Sequence, residues 1–417
     1  MSLIPVRSFE ELDLKLAEAA AIPSVADGID FLTRHFLDVG HTFEFPADPF
    51  SPEYYARAVE FYRLLSGRPD YRPDEHEQLA CPQDVRSPSP YDIGSGVAVG
   101  NQLIAWGFIL RTLELKAGQS LLEFGPGTGH VLINAARMGV RAAGVDINPH
   151  YVRLVREQAR RLELDVRIEV GRFGDTPEPG KRYDAALFYE AFHHSLDHIA
   201  LVDRLHEVVT DDGVFAVCGE PILDEASPFR PVVPFPWGPR LDLLSVRATR
   251  THGWMELGFR EEYFVRLLHR GGWLVRKCPC SLTPAADTFV ARKNHGRTSA
   301  GELYLPADEA ATWHGPEGPA RWTTGRSVLT LDSRPRWSAV TLTLTSWNPR
   351  PWPVEVACGP NRVQTRLSRG ETRAVTLPLP GGTRRLEVVS PIFCQKTLGL
   401  NDDPRQVGVV VGEIVYS

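Results

Sequence analysis

Between residues 96 and 295 the apolar positions switch repeatedly between two periods. The short apolar runs SLLEFG, RAAGVDI, VRIEV, YDAALFYE, GVFAVCGEP, WLVRKC and DTFVARK predict strands. GNQLIAWGFILRTLEL, TGHVLINAARMG, HYVRLVREQARRLE, HIALVDRLHEVV and EEYFVRLLHRGG carry apolar residues at helical spacing and predict helices. Strands alternating with helices of this length imply an α/β fold, with a mostly parallel sheet covered by helices on both faces. One segment breaks the rhythm: the proline-rich insertion SPFRPVVPFPWGPR is too long for an ordinary connection and is expected to be a lid or an exposed loop.

The flanks read differently. Residues 1–95 start with SFEELDLKLAEAAAIPSVADGIDFLTRHFLDVG, helical in spacing and broken at Pro23. A polar, proline-containing stretch follows that no long regular element can accommodate. From about residue 300 the helical period disappears. SVLTLD, AVTLTLTSW, VEVACG, RVQTRL, RAVTLPLP, RRLEVVS and VGVVVGEIVY are β-branched runs between turn residues, and predict an all-β sandwich or jelly roll over residues 302–417. The polar, small-residue stretch KNHGRTSAGE is the expected boundary.

Composition narrows the partners. At 417 residues, with 43% hydrophobic and 24% charged residues, the chain has material for two or three domains and a large core. Its 46 Lys and Arg against 52 Asp and Glu give a net charge of −6, without the basic excess a general nucleic-acid binder needs. No apolar run reaches membrane-spanning length, and MSLIPVRSFEELDLKL has no signal-peptide hydrophobic stretch, so a cytoplasmic location is expected. The six cysteines contain no CxxC pair, which fits reduced thiols. Oligomerisation is compatible with all of this and is not determined by it.

The chemistry concentrates in LLEFGPGTGHVLINAARMGVRAAGVDINP. A strand ends at Glu123, and Gly125, Gly127 and Gly129 then turn the chain into a helix. Glycines suit a sharp turn that a ligand must approach closely, and the helix start offers unpaired N–H groups. The next strand ends in Asp146, where a carboxylate can accept both hydroxyls of a ribose. His130 stands where the dinucleotide fingerprint requires its last glycine.

The E-x-G-x-G-x-G form resembles the first motif of class I S-adenosylmethionine-dependent methyltransferases, and the likeness extends over about residues 95–293. It implies a Rossmann-like sheet whose seventh strand inserts antiparallel. It also implies that Glu123 orients the methionine amino group of S-adenosylmethionine, that the glycine loop holds the carboxylate, and that Asp146 binds the ribose. The family's Gly-Asp after the third strand is replaced by Gly171-Arg172-Phe173, with Asp175 further on, so Phe173 is the candidate for packing on the adenine.

Past the fourth strand, YDAALFYEAFHHSLDH places Glu190, His193 and His194 in the expected ligand crevice. A histidine suits removal of an acceptor proton, and His194 is favoured over His193 because the single histidine of related chains occupies that slot. Bracing of the loop is the competing role. No metal is assigned: His194 and His198 would share a helix face, but no further cluster completes a set with His193. Glu220 is a further crevice carboxylate, for acceptor hydroxyls or a loop cap.

Five tryptophans, Trp313, Trp322, Trp337, Trp347 and Trp352, lie in the C-terminal region, as sugar platforms or core filling. The closing segment LGLNDDPRQVGVVVGEIVYS resembles that of β-rich accessory domains on bacterial surface-polysaccharide enzymes. Together the resemblances imply an O-methyltransferase acting on a sugar hydroxyl of a cell-surface polysaccharide or its precursor, with a glycan or sugar-containing acceptor as partner. The alternatives are a small-metabolite methyltransferase with a dimerising β domain, and a non-catalytic glycan-binding module.

Overall fold

The computed structural model describes residues 3–39, 43–77, 95–334, 336–381 and 385–417. The chain divides into two compact units, Met1–Tyr263 with Lys277–Val290, and Phe264–Arg276 with Ala291–Ser417. Among the described residues no helix is long and apolar enough to cross a membrane.

The predicted alternation forms one seven-stranded sheet: β1 Ser120–Phe124, β2 Arg141–Asp146, β3 Val166–Val170, β4 Tyr183–Tyr189, β5 Val209–Cys218, β6 Trp273–Cys278 and β7 Thr288–Lys293. Their spatial order is β3-β2-β1-β4-β5-β7-β6, and strands β3 to β5 pair in parallel. Every residue of β1 is buried, as expected of a central strand covered on both faces. On one face Trp106 and Ile109 of the helix Gly96–Leu113 pack with Leu121, Ala185 and Ala216. Leu132, Val152 and Val155, from helices His130–Arg137 and Pro149–Arg161, pack with Ala142 and Ile168. The chain runs outward from β1 to β3 and returns to β4, so a crevice opens at the carboxyl ends of β1 and β4, the topological switch point.

The N-terminal stretch belongs to the same unit. Helices Phe9–Ala20 and Val25–Arg34 are separated at Pro23 as expected, each capped by a serine, Ser8 and Ser24. A third helix, Pro52–Ser66, starts at Ser51. The polar stretch after it makes one helical turn at Pro73–His76, and its remainder from residue 78 to 94, with Cys81, lies outside the described residues.

The proline-rich insertion is an exposed turn only in its first part, around Phe229, and its second part is buried. Val232, Val233 and Phe235 share a core with Leu12, Leu32, Phe61 and Leu65 of the N-terminal helices. Trp237 is fully buried; its Nε1 donates to Pro49 O at 2.8 Å, and Tyr54 donates to its carbonyl at 2.8 Å. Trp237–Pro239 pairs with Leu257–Arg260, which also pairs with Ile222–Leu223, so the segment supplies a strand of a second, three-stranded sheet. Its apolar side chains, spaced between prolines, have a partner surface that periodicity does not reveal.

In the second unit all seven predicted β runs are strands. One sheet contains Trp313–Glu317, Ala320–Thr323, Val410–Tyr416, Ala339–Thr345 and Thr372–Pro378, and the other Arg326–Thr330, Arg385–Val389, Trp352–Cys358 and Asn361–Leu367. Their described pairings are antiparallel, and Leu342, Val375, Val356 and Leu386 from both sheets join one apolar core. Asn294 and Thr298 of the expected boundary stretch are buried, and Arg297–Ser299 pairs with the last strand. Trp313 and Trp322 are buried and Trp337 packs against the main core, whereas Trp347 is 46% exposed.

Candidate functional site

At the end of β1 the chain makes its turn through three glycines with positive φ, Gly125 at 64°, Gly127 at 52° and Gly129 at 78°. Each occupies a region that L side chains rarely adopt. At Gly129 a Cβ would also lie 2.5 Å from Val155 Cγ2, so that glycine sets how closely the loop packs on the next helix. At Gly127 a Cβ would meet nothing within 4 Å among the described residues. No side chain caps the helix that begins at His130.

Asp146 ties this loop to β2. Its Oδ2 accepts from Gly127 N at 3.0 Å and its Oδ1 from Asn148 N at 2.8 Å. Burial raises its carboxyl to about 6, against the lowering effect of those two amides. Glu123 is deeper, only 2% exposed, and its Oε2 has no hydrogen-bond partner among the described residues. Burial, with the Asp146 charge nearby, pushes it to about 8 against the Leu132 amide. A buried carboxylate oxygen without a donor carries a desolvation penalty that a cationic ligand group would relieve. These residues therefore fit a ligand that carries an amine, a carboxylate and a ribose.

Phe173 borders the loop: a Cβ on Gly125 would stand 3.4 Å from its Cε1, and its ring meets Phe188 edge-on at 5.4 Å. Asp175 is engaged elsewhere, accepting from Arg172 N at 2.8 Å and from Arg204 Nη2 at 2.9 Å.

Beyond β4, Glu190 has a φ of 48°, uncommon for a residue with a side chain, and donates its N–H to Cys218 O at 3.0 Å. Burial and the neighbouring Glu220 charge raise its carboxyl to about 7, opposed by Arg240. Glu220, at the end of β5, organises the turn Phe192–His194. Its Oε1 accepts from Ala191 N and Phe192 N, both at 2.7 Å, and its Oε2 accepts from His193 N at 3.0 Å and His193 Nδ1 at 2.7 Å. Burial opposes its charge, but His193 and these amides hold it below the ordinary carboxylate value.

His193 and His194 face further carboxylates that sequence reasoning did not identify. His193 Nε2 is 3.8 Å from Glu256 Oε2, and His194 Nδ1 is 3.3 Å from Glu77 Oε2. Burial alone would lower His194, yet Glu77, Glu256 and Glu220 together raise it to about 9. Glu77 is fixed by Tyr71 and by Met255 N, both donating at 2.8 Å. Arg240 stands 3.2 Å from Asp242 and 3.6 Å from Glu256. Trp254 meets His194 edge-on at 6.1 Å, and its buried Nε1 has no partner among the described residues. These residues come from polar or aperiodic segments, and only folding brings them to the histidines.

His198 does not join this cluster. It is fully buried, with Nε2 at 2.7 Å from the Tyr263 hydroxyl and Nδ1 at 3.2 Å from the carbonyls of Ser195 and Leu196. Burial lowers it to about 4, which makes it a neutral structural histidine. The expectation that nothing completes a ligand set is also corrected. Among the described residues, His193, His194 and Glu256 bring ligand atoms within 4.8 Å of one another.

Residues 102–276 match the family model described as a methyltransferase domain. The chain is similar to the S-adenosyl-L-methionine-dependent Diels-Alderase iccD of Talaromyces variabilis, 29% identical over 134 residues, which are 31% of this chain and 44% of that protein. It is also similar to the demethylmenaquinone methyltransferase of Tropheryma whipplei, 28% identical over 126 residues, 30% of this chain and 49% of that one. The solved structure of YcgJ from Bacillus subtilis aligns with a TM-score of 0.36 and 18% identity, over 42% of this chain and 71% of that one. The chain spans about half the length of the curated relatives it matches. Over residues 102–276 the chain is therefore similar to methyltransferase domains, with S-adenosylmethionine as the cofactor that the glycine loop would hold.

Proposed function

We propose that this chain is an O-methyltransferase acting on a sugar hydroxyl of a cell-surface polysaccharide or its precursor. The observation that carries the transferase reading is the buried, unpartnered Oε2 of Glu123 beside a glycine loop tied to Asp146. In this reading Glu123 receives the cofactor's amino group, the amides after Gly127 its carboxylate, Asp146 its ribose, and Phe173 one face of its adenine. When bound, S-adenosylmethionine supplies an electrophilic methyl group.

The acceptor side rests on His193, His194 and Glu190. His194, the base that the sequence favours, is held protonated by Glu77, Glu256 and Glu220, so His193 takes that role. Its Nδ1–H donates to Glu220, which fixes the tautomer and leaves Nε2 to accept from the acceptor hydroxyl. The surroundings supply Glu77, Glu256, Arg240 and the free N–H of Trp254. Such a set of buried donors and acceptors suits a ligand with several hydroxyls, because a planar apolar acceptor would leave them unpaired. A jelly-roll-like C-terminal unit that holds the polymer, with Trp347 as its exposed aromatic, completes the proposal.

Ligand binding tests the reading. S-adenosylmethionine and S-adenosylhomocysteine should raise the melting temperature and NAD should not, since a ligand of the native state stabilises by mass action. Asp146→Ala should weaken S-adenosylhomocysteine binding by about 1–3 kcal/mol. A shift with NAD alone would overturn the assignment.

A further inference from the structure

The fold buries an excess of negative charge around the histidine pair. Among the described residues, Glu77, Glu190, Glu220, Asp242 and Glu256 share the region with one guanidinium, that of Arg240. Arg240 stands nearest Asp242 and Glu256, which leaves Glu77 and Glu220 with imidazoles as their main countercharges. Buried carboxylates persist where they are paired or bind a cation.

The histidines are arranged as ligands. Glu220 takes Nδ1 of His193 at 2.7 Å, so Nε2 is the free nitrogen, and it points to Glu256 Oε2 at 3.8 Å. Glu77 stands behind His194 in the same way, 3.3 Å from Nδ1. A carboxylate behind each imidazole fixes the ring and raises its basicity, the arrangement that supports metal-binding histidines.

We propose that His193, His194 and Glu256 bind one divalent transition-metal ion, with Glu220 and Glu77 orienting the two imidazoles. Two nitrogens and one carboxylate oxygen suit ions of the zinc, cobalt and iron(II) class, and three protein ligands leave coordination positions open. Donors sharing one ion at about 2.1 Å stand roughly 3.0–3.4 Å apart. The present set lies within 4.8 Å, so closure between donors of up to roughly 1.4–1.8 Å forms the site. The ion site stands on this geometry. Its use rests on the methyltransferase reading: the open positions take the acceptor hydroxyl, which the ion then holds and polarises in place of His193 Nε2.

The test is titration of the metal-stripped full chain with Co²⁺, followed by visible absorption, with Zn²⁺ as competitor. One Co²⁺ should bind per chain with d–d bands that Zn²⁺ abolishes. His193→Ala and Glu256→Gln should each weaken binding at least tenfold, and Glu220→Gln by about 10–100-fold through the imidazole it orients. S-adenosylhomocysteine binding by each variant reports retention of the fold, and Glu256→Gln serves if His193→Ala fails to fold. Absent bands, or affinity unchanged in Glu256→Gln and Glu220→Gln, would overturn the site. A protein that binds S-adenosylhomocysteine but no Co²⁺ loses only the ion site. One that binds Co²⁺ but no S-adenosylhomocysteine keeps the ion site and loses the transferase reading.

Discussion

Lowering the pH from 8.5 to 6.5 should weaken S-adenosylhomocysteine binding through Glu123. In the cofactor-free fold, burial raises this carboxyl to about 8, so at pH 6.5 it is almost wholly protonated. If the cofactor's ammonium binds only the carboxylate, the apparent Kd is multiplied by one plus ten to the power (pKa − pH). That factor is about 30 at pH 6.5 and about 1.3 at pH 8.5, a change of roughly 25-fold or about 1.9 kcal/mol. Asp146, at about 6, contributes a factor of only about 1.3 at the lower pH. Glu123→Gln cannot form the carboxylate, so it should bind more weakly than the native protein at both pH values, by at least about 25-fold at pH 8.5, and lose the pH slope. Isothermal titration at three pH values on both proteins measures this directly. A native profile flat within twofold, or an equal slope in Glu123→Gln, would refute the role of Glu123.

The remaining predictions concern stability and turnover. Because the folded pKa of Glu123 lies above its unfolded value, its protonation stabilises the cofactor-free fold at low pH. That contribution falls away as pH rises toward about 8, so the gap in Tm between bound and free protein should widen with pH. Gly129→Ala combines a φ of 78° with a Cβ 2.5 Å from Val155, and should cost about 1–3 kcal/mol by denaturant unfolding. His193→Ala should lower kcat by about 10²–10⁴ with S-adenosylhomocysteine affinity nearly unchanged, and retention of full turnover would limit His193 to bracing its turn. Trp313→Ala should cost about 3–5 kcal/mol of stability, and Trp347→Ala, at an exposed position, less than about 0.5.

Periodicity made the central sheet legible because its strands are covered on both faces and its helices on one, so each element carries its own apolar signature. The glycine loop was legible for a different reason: positive φ at Gly125, Gly127 and Gly129 leaves few other residues admissible. The insertion around Trp237 was not, since prolines break its apolar positions into runs too short to show a period. Trp313–Glu317 and Ala320–Thr323 escaped notice as strands because WHGPE and ARWT lack β-branched alternation. Glu77 and Glu256 reach the histidines from sequence distances of more than a hundred and about sixty residues, and nothing local marks either acid. Tertiary packing alone reveals which acids face which histidines.

The central claim is methyl transfer from S-adenosylmethionine to a sugar oxygen. Incubating the full chain with methyl-labelled S-adenosylmethionine and a panel of nucleotide sugars, surface oligosaccharides and quinones tests it most directly, with the labelled product identified by mass and by the chemical shift of the methyl carbon. The account predicts label on a sugar oxygen as a methyl ether, lost in Asp146→Ala and His193→Ala. Label on a quinone carbon, or none on any sugar while S-adenosylhomocysteine binds tightly, would contradict it.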